Sequence, residues 1–153
     1  MRVKGSLVRK VPGIPGMVTR MTARELHGDA PAEHAEAVRF FRVVSLHEAA
    51  HPDLQLLYAV PNGGLRNKVV AAKMRAEGQR PGVPDYCWPR RSACGSFAGL
   101  YIELKRQKGG RLADEQRKFL DGVRAQGYRA ERADGWEQAW RLVCEHGGWP
   151  CGL

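Results

Sequence analysis

The stretch GLYIELKRQKGG, residues 99–110, ends an apolar run with two charges, Glu103 and Lys105. Residues two apart on a strand face the same side, so Glu103 and Lys105 project together while Leu104 points the other way. Burying either charge is costly unless it finds a partner. Asp85 lies 18 residues before Glu103, at the start of another extended segment. Pairing of the two segments as a hairpin through RRSACGS would bring Asp85 beside Glu103. Two carboxylates in one place repel and raise a pKa. A divalent cation relieves that repulsion, and Mg²⁺ is held by one or two carboxylates together with waters and phosphate oxygens. Such an ion makes hydroxide available near neutral pH and neutralises charge on a scissile phosphate. Lys105 is placed to orient the attacking water or to stabilise the phosphorane-like state. Alone, Glu-x-Lys reads first as a surface ion pair of little energetic worth. The full arrangement is rarer: Pro-Asp, a loop, an apolar strand ending in Glu-x-Lys, a basic glycine loop, then a helix carrying Gln116.

The elements that must position these groups follow from periodicity and turn signals. APAEHAEAVRFFRVVSLHEAAHP has a helical period and is stopped by Pro52. LQLLYAV predicts a short strand ended by the turn PNGG, and LRNKVVAAKMRAEG a helix capped at Gly78. QRPGVPDYCWP is extended, and FAGLYIELK is the strongest strand in the chain. ADEQRKFLDGVRAQG predicts an amphipathic helix, YRAERA a short strand, and DGWEQAWRLVCEHG a final helix with Asp134 as its N-cap. The order is helix, strand, helix, strand, strand, helix, strand, helix. That predicts an α/β domain with a central mixed β-sheet flanked by helices. Residues 1–30, with Pro12, Pro15 and scattered basic residues, read as a basic N-terminal arm or irregular extension, and 31–153 as one domain.

The 153 residues suit a single core, and 43% are hydrophobic, which argues against general disorder. Lys and Arg number 25 against 16 Asp and Glu, a net charge of +9, which points to a polyanion such as nucleic acid. Arg66, Lys68, Lys73 and Arg75 lie on the second predicted helix, where Arg66 and Lys73 share a face that can meet phosphates. Arg106, Lys108 and Arg111 follow the Glu-x-Lys strand, and Gly109 and Gly110 let that loop approach a phosphate. No apolar run is long enough to cross a bilayer, and the basic N-terminus lacks the apolar core of a signal peptide, so a cytoplasmic location is expected. The pairs Cys87/Cys94 and Cys144/Cys151 have six residues between partners, wider than the usual structural zinc spacing, and read as reduced thiols. His47 and His51, four apart, have no evident third ligand and, like His34, read as surface or capping residues. Trp136 and Trp140 read as packing of the last helix.

The segments AVPNGGLRN, AEGQRPGVPDY and GLYIELKRQKGGRLADEQRKFLDGVRAQGYRAERADGWEQA resemble, in order, the VRR-NUC family of the PD-(D/E)xK nuclease superfamily, over roughly residues 33–146. The resemblance implies a restriction-endonuclease-like core and cleavage of DNA with Mg²⁺ or Mn²⁺. It places the family's metal-binding aspartate on Asp85, its acidic residue and lysine on Glu103 and Lys105, and its helical glutamine on Gln116. It implies that the Leu104 carbonyl is a metal ligand and that Asn62 and Gly63 line the cleft near the DNA backbone. The family's acidic residue on the first helix falls on Glu36 or, close behind, Glu33; Ala37 stands where a glutamine often follows it.

The expected function is therefore a metal-dependent DNA endonuclease, structure-specific on branched, flap or junction DNA. A stand-alone unit of this size would gain specificity as a homodimer, in a bacterial or phage-infected host. Two alternatives share much of the same surface: a non-catalytic DNA-binding module that retains the fold, and an RNA-processing nuclease.

Overall fold

The structure is a computed structural model that describes residues 8–10, 18–20, 32–61, 68–108 and 110–152. Asn62, Gly63 and Arg66, expected at the DNA, lie outside the described residues. Six strands and four α-helices are present among them. A two-stranded antiparallel ribbon, β1 (Val8–Lys10) and β2 (Val18–Arg20), pairs Val8 with Arg20 and Lys10 with Val18. The arm expected to be irregular thus contains paired strands, drawn from the two β-branched stretches that flank a Pro- and Gly-rich connection.

The domain itself begins with α1 (Ala32–His47), followed by a 3₁₀ turn (Pro52–Leu56) and β3 (Tyr58–Ala59). Then come α2 (Lys68–Ala76), β4 (Tyr86–Trp88), β5 (Leu100–Lys105), α3 (Asp114–Ala125), β6 (Arg129–Asp134) and α4 (Trp136–Gly147). The sheet order is β3-β4-β5-β6, antiparallel up to β5 and parallel between β5 and β6. The parallel pair needs a crossover, and α3 supplies it. This is the expected mixed sheet flanked by helices.

Two local expectations are corrected. LQLLYAV forms a strand only at Tyr58–Ala59, because Pro52 opens a helical turn that carries on through Leu56. Leu54 and Leu57 are still buried, so the apolar signal was real but belonged to a turn. Asp134 is the last residue of β6, not a helix cap; Gly135 takes that position, and the Asp134 carboxylate bonds Arg132.

The alternation of β5 explains the layers. Leu100, Ile102 and Leu104 are buried on one face with Phe40 and Val44 of α1 and Ala139, Trp140 and Val143 of α4. On the other face Tyr101 meets Phe119 of α3 edge-on, with ring centroids 6.2 Å apart. Burial of the apolar set at roughly 25 cal/mol per Å² makes this core the main source of stability. Trp140 is fully buried and His47 leans on its ring, 4.5 Å between centroids, while its Nδ1 is 2.8 Å from the Val43 carbonyl. His51 stacks on Trp149 at 3.9 Å. All four cysteines are free thiols, two buried and two exposed. Among the described residues no helix is long and apolar enough to cross a membrane.

Candidate active site

The register of the sheet assembles the site. Tyr86 pairs with Ile102, which sets Asp85 opposite Glu103 one step further along. Asp85 is held from two sides. Its main-chain carbonyl accepts the Val60 amide at 2.7 Å, and its Oδ2 accepts the Leu104 amide at 2.9 Å. The preceding Pro84 is buried and favours an extended entry into β4. Odd-numbered residues of β5 turn their main-chain groups to β6, since Gly99 and Lys105 carbonyls accept amides of Arg129 and Gly135. Leu104 therefore presents both its amide and its carbonyl to the Asp85 edge.

Glu103 has no solvent exposure and Lys105 only 7%. Lys105 Nζ donates to Glu103 Oε1 at 2.6 Å, and Gln116 Nε2 donates to the same oxygen. Glu103 Oε2 is buried with no hydrogen-bond partner. Burial pushes the Glu103 carboxyl up to about 7; the bond to Lys105 opposes that rise, and the Asp85 and Glu33 carboxylates add to it. Burial works against the Lys105 charge, yet the bond to Glu103 and the nearby carboxylates outweigh it and raise its pKa.

Gln116 is fixed in turn by the start of α3. Its Oε1 accepts the Ala113 amide at 2.9 Å, which leaves the Nε2 end to face Glu103. Ala113 itself offers no side-chain cap, so this is the returning half of a capping box.

Glu33, not Glu36, approaches the lysine: Glu33 Oε1 lies 3.8 Å from Lys105 Nζ. Glu36, favoured from sequence as the α1 ligand, is engaged elsewhere. Its Oε2 accepts the Trp136 amide at 2.8 Å, satisfying a free donor at the start of α4, and its Oε1 is 3.7 Å from Arg39. Of the basic residues expected at the nucleic acid, Arg106, Lys108 and Arg111 are exposed beside the end of β5, and Lys73 is exposed on α2, 3.9 Å from Glu77.

Gly82 was not singled out from sequence. It has φ +79, and a Cβ there would lie 2.4 Å from the main-chain carbonyl of Glu115. The segment leading to Asp85 thus rests on the first turn of α3, beside Gln116. The only sequence signal was its place in PGVPD.

The donor set suits a hard divalent cation. Asp85, just before β4, and Glu103 on β5 offer carboxylate oxygens opposite one another, and Glu103 Oε2 is a buried acceptor without a donor. Among the described residues no group of three or more His, Cys, Asp and Glu side chains is placed to hold a metal ion together. An ion there would complete its shell from main chain, water and phosphate, as Mg²⁺ commonly does.

The α/β domain thus sets a buried acid and lysine at a strand end, opposite a second acid. Residues 30–136 match the VRR-NUC domain, and the chain belongs to that family. A solved structure described as a VRR-NUC domain protein superposes with a TM-score of 0.63 at 18% identity, covering 76% of this chain and 88% of that one, and so shares its fold. No curated protein matches the chain.

Proposed function

We propose that the protein is a Mg²⁺- or Mn²⁺-dependent DNA endonuclease that hydrolyses phosphodiester bonds, acting on branched, flap or junction DNA. The observation that carries this is Glu103: a buried carboxylate facing Asp85, bonded through one oxygen to Lys105 and Gln116, with the other oxygen unpartnered. Asp85, Glu103 and the Leu104 carbonyl would hold the ion, with Glu33 rather than Glu36 as the acid from α1. When bound, the ion supplies a water of lowered pKa and neutralises phosphate charge. Lys105 Nζ holds the attacking water in line and donates to the developing negative charge on phosphorus oxygens. Gln116 orients the Glu103 carboxylate. Arg106, Lys108 and Arg111 form a basic lip for the phosphate backbone and Lys73 extends it; the net charge of +9 favours the same polyanion. Asn62, Gly63 and Arg66, outside the described residues, would contact the DNA backbone as the family resemblance implies, and a homodimer would set two such sites against two strands.

The test is cleavage of linear duplex, flap, four-way-junction DNA and single-stranded RNA with Mg²⁺ or Mn²⁺, alongside Lys105→Ala. Cleavage of branched DNA that falls at least about a hundredfold in the variant supports the proposal. Cleavage confined to RNA would reassign the substrate. DNA binding with no cleavage and no Mn²⁺ uptake by calorimetry would make the protein a binding module instead.

A further inference from the structure

We infer that Arg132 is a positioning residue that fixes the rotamer of Lys105 through Gly110. The inference rests on the nuclease reading for its kinetic consequence but not for its geometry. Parallel pairing sets Arg132 of β6 beside Glu103 and Asp134 beside Lys105. Arg132 Nε donates to Asp134 Oδ1 at 2.9 Å, and the same guanidinium reaches across to the Gly110 carbonyl at 3.0 Å. Gly110 in turn presses on the lysine. A Cβ built at Gly110 would lie 2.7 Å from Lys105 Cβ and 3.3 Å from its Cγ. The stem of Lys105 is thus walled by a main chain that Arg132 holds down.

The near end of the same loop is tied to the same corner. Gln107 Nε2 donates to Glu137 Oε2 at 2.9 Å, and its Cγ fills the space over Gly135, where a Cβ would come within 2.6 Å. The Gly135 amide bonds the Lys105 carbonyl at 2.8 Å. The β6–α4 corner therefore fixes the main chain of Lys105, the loop that follows and the wall against its side chain.

A free lysine side chain samples many rotamers, and confining it to one is costly in entropy. Arg132 is one-third exposed and its ion pair with Asp134 lies at the surface, so its contribution to global stability is small. Its effect falls on orientation, where a misplacement of about 1 Å can cost about a hundredfold in rate.

Two readouts separate this role from the obvious rival, a direct contact between Arg132 and a DNA phosphate. The first is amine labelling of Lys105, followed by mass spectrometry, which does not depend on activity. Arg132→Ala and Gly110→Ala should each raise the labelling rate of Lys105 several-fold, and Arg132→Lys, which keeps one donor without the fork, should restore part of the protection. The second is kinetic, with wild-type cleavage as reference. Both alanine variants should lose about tenfold or more in kcat with KM changed less than about twofold. The slope of log affinity for DNA against log salt should stay as in wild type. A slope shallower by about one would mark Arg132 as a phosphate contact. Unchanged Lys105 labelling in Arg132→Ala would overturn the inference even if the wild type proved inactive. Should Arg132→Ala unfold, Arg132→Lys decides: labelling above wild type supports the inference, and labelling equal to wild type overturns it.

Discussion

The Glu103 carboxyl makes stability depend on pH in a direction opposite to that of most acidic side chains. Its pKa rises from 4.5 to about 7, mainly through burial. Between those values the folded protein binds the proton that the unfolded chain has lost. The stability this proton provides is fully present below about pH 4.5 and is lost as pH rises through about 7. At 1.36 kcal/mol per pKa unit the loss is about 3 kcal/mol. For a chain of this size about 1 kcal/mol moves Tm by about 2–4 °C, so the loss corresponds to about 6–12 °C. Lys105 stays charged throughout, because its own pKa is raised. The assay is thermal melting followed by circular dichroism in EDTA, from pH 5 to pH 8, for the wild type and Glu103→Gln. The variant has no proton to gain at this site, so the difference between the two curves isolates Glu103 from all other acids. Between pH 5 and pH 8, where about 2.5 kcal/mol of the loss falls, that difference should shift against the wild type by about 5–10 °C. Excess Mn²⁺ should then stabilise the wild type more at pH 8 than at pH 5.5, because the ion requires the ionised carboxylate. A flat difference curve, or equal Mn²⁺ stabilisation at both pH values, refutes the account of Glu103 as a buried acid and proposed cation ligand.

Three further outcomes concern residues around the site. Glu36→Ala should lower stability by about 1 kcal/mol, through loss of its bond to the Trp136 amide, measured by urea denaturation. Glu33→Ala should leave stability within about 0.5 kcal/mol, because Glu33 is half exposed, and should instead weaken Mn²⁺ binding in calorimetry. Gly82→Ala forces a Cβ into the Glu115 main chain at a residue whose φ is positive. It should destabilise by about 1–3 kcal/mol and shift the Gln116 side-chain amide resonance in NMR; an unchanged resonance would separate the PGVPD segment from the start of α3.

How much of this was legible in the sequence depended on the range of the contacts involved. Glu103 and Lys105 share a face because a strand has period two, and Asp85 reaches them through one hairpin; both facts are local and both were expected. The helical glutamine was legible as part of a motif, but its amide orientation was not. That orientation is set by the Ala113 amide, a detail of how α3 begins. The length of β3 was misjudged because Leu54 and Leu57 are as apolar as strand residues but are buried from a turn. Gly82 carried no chemical signal of its own, since its importance lies in the backbone it touches.

The choice between Glu33 and Glu36 was the part that local rules could not decide. The two are three residues apart on α1, so they share a helix face, and either could turn to the end of β5. What separates them is Trp136, 100 residues further along, whose amide opens α4 and needs an acceptor. α1 and α4 pack together on the face of β5 formed by Leu100, Ile102 and Leu104, which brings that amide to Glu36. Glu36 is thereby engaged at the start of α4, and Glu33, nearer the start of α1, is left beside Lys105. The same packing that builds the core thus favours Glu33 as the α1 acid of the proposed site. A change that shifts α4 along α1 would free Glu36 and alter the charge around Lys105 without touching any residue of the strand that carries the chemistry.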